Sequence, residues 1–126
     1  MKPRGPQVLA VALAAALSVS SMTGCSTADD RKTAYCQRGV ELLEKGDLVK
    51  ARLELKNALQ IDPKYAAAWL KLGEIDERSG NLQAAFGAYA RAVELDSANV
   101  DARLRRGRIL VAALGTNRAT ATLVST

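Results

Sequence analysis

Two cysteines, Cys25 and Cys36, and the absence of histidine limit the chemistry open to this chain. A thiol can be a nucleophile, a metal ligand or a point of covalent modification, but the first two uses need company. With no His there is no imidazole base, and two Cys do not complete a zinc set. No grouping of nucleophile, base and orienting residue can be read along the chain. The expectation is no enzyme, no catalytic residue, no metal and no cofactor. Cys36 reads as a small, half-buried structural residue, because no basic cluster adjoins it in sequence. Arg103, Arg105, Arg106 and Arg108 form the other concentration of chemistry. They could hold an anion or an acidic partner, but they read first as a solvated helix face.

The chain has 126 residues, enough for one small domain. Aromatic residues make up 4%, so a core must be built mainly from Ala, Leu, Val and Ile, a composition that favours helices. Net charge is +5, and the basic residues alternate with acids between residues 41 and 101. That interspersion predicts no nucleic-acid partner.

The N-terminus has its own logic. Lys2 and Arg4 precede a continuous apolar run, Val8 to Leu17, which is too short to span a bilayer but suits a secretory signal. Met22-Thr23-Gly24-Cys25 follows. This resembles the lipobox of bacterial lipoproteins, with Met22 where the family usually has Leu. The resemblance implies cleavage before Cys25, lipidation of its sulfur, and sorting to the outer membrane through Ser26. It would leave no second thiol for a disulfide. Removing Lys2 and Arg4 leaves 18 − 2 = 16 basic residues against 13 acidic ones, a mild excess. Residues 1–24 are read as the signal peptide and 25–31 as a polar tether of roughly two nanometres at most.

The remainder repeats. Gly39, Gly73 and Gly107 are 34 residues apart, and the same offset relates Gly46 to Gly80, Ala51 to Ala85, Leu55 to Tyr89 and Ala58 to Ala92. Each unit reads as two helices. Ala68, Trp69, Leu72 and Ile75 form one apolar face, and Leu82, Ala85, Phe86, Tyr89, Ala92 and Val93 form the next. Gly46 and Gly80 suit the left-handed position that ends a helix. Pro63 cannot continue one. Gly39 or Gly73 on the first helix, with Ala51 or Ala85 on the second, would let two backbones approach closely.

Period and residue types resemble the tetratricopeptide repeat over residues 32 to 113. Trp69, Leu72, Gly73, Ala85, Tyr89 and Ala92 carry the likeness in the second unit, with Asp76 and Ser97 departing. Tyr35, Gly39, Leu42, Ala51, Leu55, Ala58 and Pro63 carry it in the first, with Arg38 departing. The expected fold is all-α, an α-solenoid of about two and a half stacked helix-turn-helix repeats: 32–65, 66–99 and an atypical or truncated 100–126. In the last unit the glycine due at position 114 is Leu114, with Gly115 one place late, and the Thr-rich tail reads as a weak helix too short to complete the unit. The apolar strip of that unit is expected to lie exposed.

The resemblance also implies a partner surface, the concave face of the first helices. Projected onto this chain, it carries Cys36, Gln37, Val40 and Leu43, then Leu70, Lys71, Glu74 and Glu77, then Leu104, Arg105 and Arg108. Cys36 and Val40 stand where chaperone-binding members carry a Lys and Asn clamp, so that activity is not implied. The expected function is a protein–protein interaction scaffold on the periplasmic face of the outer membrane. Its expected contacts are a protein or peptide partner and the membrane through lipid, with no small-molecule substrate. The run LELKNALQIDP resembles lipoproteins tied to exopolysaccharide export and protein sorting; the alternatives are a pilotin-like lipoprotein of type IV pilus assembly and a non-catalytic accessory to an envelope enzyme.

Overall fold

The computed structural model of the chain describes residues 26–124. The signal segment 1–24 and the lipidation site Cys25 lie outside the described residues. Five helices follow one another: α1 (Ala28–Glu44), α2 (Leu48–Ile61), α3 (Ala66–Arg78), α4 (Leu82–Leu95) and α5 (Val100–Val124). The described residues are all-α, with α1 packed against α2 and α3 against α4 as successive helix pairs.

Local chemistry sets the helix ends. Thr27 accepts from the backbone N–H of Asp30 at 3.1 Å while the Asp30 carboxylate accepts from the N–H of Thr27 at 2.9 Å, a reciprocal cap. The sequence reading leaves 25–31 as a tether, but this cap starts the helix at Ala28. Asp47, Asn81 and Asn99 cap α2, α4 and α5 through the N–H groups of Lys50, Ala84 and Ala102. Gly46 (φ 81°) and Gly80 (φ 78°) close α1 and α3. Asp47 N–H reaches Leu42 O at 2.9 Å and Asn81 N–H reaches Asp76 O at 2.8 Å, so each glycine turns the chain while the last carbonyls stay bonded. Asp62 and Asp96 end α2 and α4, their carboxylates accepting from the N–H groups of Lys64 and Ala98. Pro63 and Ser97 thus follow the same local turn.

The close crossings lie where the repeat places glycine. A Cβ on Gly39 would come within 2.8 Å of Leu55 Cγ, and one on Gly73 within 2.9 Å of Tyr89 Cζ. Large buried side chains of α2 and α4 fill the space left by the missing methyl group. Buried alanines, among them Ala51, Ala58, Ala85 and Ala92, keep these helices close.

In the third unit a single helix, α5, runs unbroken past Leu114 to Val124. Leu114 occupies the turn position of Gly46 and Gly80, and a leucine enters the left-handed region only at a cost of roughly 1–2 kcal/mol. The helix therefore continues through Gly115. Thr116 Oγ1 donates back to the carbonyls of Ala112 (3.2 Å) and Ala113 (2.9 Å). Among the described residues, no second helix covers α5. Gly107, the equivalent of Gly39 and Gly73, has nothing within 4 Å of the Cβ it lacks. No helix of the described residues is long and apolar enough to cross a membrane.

Candidate functional site: the inner face of the repeats

The first helices follow in order, α1 beside α3 and α3 beside α5, and the residues expected on their shared face divide into two groups. On α1, Gln37 is exposed and Val40 half-buried; they line a hollow of about 410 Å³ with Cys36, Tyr65 and the acids Glu41 and Glu44. Leu43, projected onto this face, is only 2% exposed and belongs to the core, because its side chain turns toward the α1–α3 packing. Cys36 is also buried, more deeply than the half-buried reading, and burial pushes its thiol above the ordinary value. It is held as a packing residue and makes a poor nucleophile.

The second group is brought together, but largely as one another's partners. Glu74 is buried and receives Lys71 Nζ at 2.8 Å, with Arg105 at 3.7 Å. Glu77 lies 3.5 Å from Arg105 and 2.7 Å from Arg108. The Tyr89 hydroxyl donates to Glu77 at 2.6 Å. Arg105 also reaches Asp101 at 2.8 Å. This network joins α3, α4 and α5, so Arg105 and Arg108 bind the second repeat to the third instead of forming a free basic face. Leu70 packs beside it against Ala85, Tyr89 and Ile109, while Leu104 is 63% exposed. Five of the expected charged contacts are therefore tied up in stabilising the stack, and what they leave open on this face is the α1 hollow.

The Tyr89 hydrogen bond is the main influence holding the Glu77 carboxyl below its ordinary value, with Arg108 and Arg105 adding to it against burial. Burial, then Glu77, pushes the Tyr89 phenol above its own. Asp62 is lowered by the hydrogen bond from Lys32 (2.7 Å), and Asp47 by the N–H of Lys50. A carboxyl whose native pKa is depressed stabilises the fold fully above its unfolded value and loses that contribution as pH falls through the native one. The urea midpoint, followed by the fluorescence of Trp69, is therefore expected to hold steady from pH 7 to 5. It should fall below the ordinary values of 4.5 for Glu and 3.8 for Asp and keep falling as the depressed groups protonate. Glu77→Gln should reduce the slope.

Some contacts were not foreseeable from spacing. Asp76, a departure from the repeat pattern, is buried and paired with Arg52 of α2 at 2.6 Å. Arg78 donates to the Leu43 carbonyl at 3.0 Å, capping the end of α1 from α3. The only sequence signal for the first is the unexplained acid at an apolar-face position; the second leaves none.

A helix pair crossing at a small residue, repeated every 34 residues and stacked on its neighbour, defines a repeat protein built to present surface to other proteins. The chain belongs to the tetratricopeptide-repeat proteins: residues 39–80 match a TPR repeat family and residues 66–99 match a tetratricopeptide repeat family. It is 38% identical over 65 residues to the peroxisomal targeting signal receptors of Komagataella phaffii and Komagataella pastoris, covering 51% of this chain. It is 31% identical over 90 residues to the type IV pilus assembly protein PilF of Pseudomonas aeruginosa, covering 62% of this chain. The chain spans 11% of the length of the receptors and 36% of the pilus protein. Tetratricopeptide repeats are protein-interaction scaffolds, and their partners are proteins or peptides.

Proposed function

We propose that this chain is a lipid-anchored scaffold of the bacterial outer membrane that presents its repeats to a protein partner in the envelope. The observation that carries the reading is the order of the N-terminal sequence: a basic start, a short apolar run, then Gly24-Cys25 directly ahead of a folded helical stack. α1 begins at Ala28, so acyl chains on Cys25 would hold the first helix within about one nanometre of the bilayer. Two or more such chains are enough for stable anchoring. Within this class, a part in type IV pilus assembly is favoured by the likeness to PilF over 62% of the chain. A part in exopolysaccharide export or protein sorting rests on the run LELKNALQIDP.

Cys25→Ser tests the anchor. The variant is expected to take up no labelled fatty acid and to leave the outer-membrane fraction, either soluble or as an uncleaved precursor. Label and outer-membrane fractionation retained in Cys25→Ser would overturn it.

A further inference from the structure

The third unit presents a prepared crossing with nothing on it. Gly39 and Gly73 each meet a large side chain of a covering helix, Leu55 or Tyr89; their equivalent, Gly107, faces open space among the described residues. Around it Leu110, Val111 and Leu114 are 49%, 70% and 61% exposed. These residues follow the helical spacing of a single strip, the side on which a covering helix would lie. One hollow, of about 520 Å³, runs along α5 past Leu104, Gly107 and Val111, with Arg103 and Arg108 in its walls. A second, of about 460 Å³, lies where Leu82 and Phe86 of α4 meet Ile109, Leu110 and Ala113 of α5. Ala112 borders both.

Charge selects the occupant. α5 carries one acid, Asp101, and Arg105 already holds it; beyond it the helix has arginines and no acid. Arg103 is exposed beside the strip, and Arg108, also exposed, is paired with Glu77 of α3. The α5 of a second copy laid here would set these arginines against themselves. An amphipathic helix with an apolar stripe and carboxylates along its edges meets both the apolar floor and the basic walls.

We propose that the Gly107–Leu114 strip of α5 is a docking site for an acidic amphipathic helix of a protein partner, seated as α2 and α4 are seated on Gly39 and Gly73. The site does not depend on the lipid anchor. Gly107 admits the close approach, Leu110, Val111 and Leu114 supply the apolar contact, and Arg103 at the edge of the strip sets the charge of the arriving helix.

The test uses a fluorescein-labelled synthetic helix of about 16 residues, Leu-striped with Glu at its edges, and a twin with Lys in place of Glu. The full chain is held in nanodiscs of zwitterionic lipid with empty discs as the blank, or free in buffer if it proves soluble, so a failed anchor and a failed docking site are read separately. Anisotropy is expected to show the Glu helix binding with micromolar Kd and the Lys twin binding at least about tenfold more weakly. Arg103→Glu should weaken the Glu helix by about tenfold, and Val111→Asp should abolish its binding. Both residues are exposed, so helical circular dichroism should be unchanged in both variants. Equal binding of the two helices, or full binding by both variants, overturns the proposal. A concentration-dependent dimer that Val111→Asp dissolves would also overturn it, by making a second copy the occupant.

Discussion

Tyr89→Ala is expected to cost about 3–5 kcal/mol, the largest loss from any single side chain of this stack. Tyr89 is 0% exposed and, among the described residues, the largest fully buried side chain. Its ring occupies the space that Gly73 leaves open, and its hydroxyl donates to Glu77, which also binds Arg105 and Arg108 of α5. Truncation therefore opens a cavity at the α3–α4 crossing and removes a neutral donor from a charged network at the same point. Net stabilities of small domains are about 5–15 kcal/mol, so a loss of this size removes a large share of the total. Tyr89→Phe separates the two effects: it keeps the ring and should cost only about 1–2 kcal/mol, because the arginines still satisfy Glu77. Urea unfolding read by Trp69 fluorescence measures both variants. Similar costs for Ala and Phe would mean that the ring does not fill the crossing.

Gly73→Leu should be the next most damaging change, and the same position in the third repeat should respond with the opposite sign. A Cβ at Gly73 falls on the Tyr89 ring, which is enclosed and cannot swing away. Overpacking of this kind costs about 1–3 kcal/mol, and Leu adds further carbons at the crowded point. At Gly107 a Cβ meets nothing within 4 Å. Gly107→Ala removes backbone freedom from a helix interior without a clash and should stabilise α5 by about 0.5–1 kcal/mol. The contrast is informative because sequence spacing treats the two glycines as equals. Equal effects at both sites would mean that the third crossing is already covered, and would count against the open strip on α5.

The repeat was legible because its physical causes are local and periodic. The 34-residue offsets of Gly39, Gly73, Ala51 and Ala85 reflect helices that cross at one place in each unit, and Gly46 and Gly80 stop their helices by backbone conformation alone. Asn81 caps α4 as its residue type predicts. The misreadings concern competition between local signals. Thr27 and Asp30 form a cap that sequence polarity disguised as a tether. Leu114 lacks the conformational freedom of the glycine it replaces, so α5 passes the point where the unit should turn.

Charge was where sequence reasoning had least purchase. The resemblance to the repeat family placed Lys71, Glu74, Glu77, Arg105 and Arg108 on one face, but a projected motif cannot say whether side chains on neighbouring helices reach one another. That depends on the distance and angle between α3 and α5, which the whole stack sets. The sequence by itself determined a helical repeat, its period, its crossing points and most of its turns, because each rests on the conformational preference of a residue or on the spacing of a helix face. Only the tertiary structure decided that the arginines of α5 lock onto Glu74 and Glu77, that Asp76 is buried against Arg52, and that Gly107 is left uncovered. Those outcomes depend on which helix lies opposite each residue, and residues tens of positions away in the chain supply the answer.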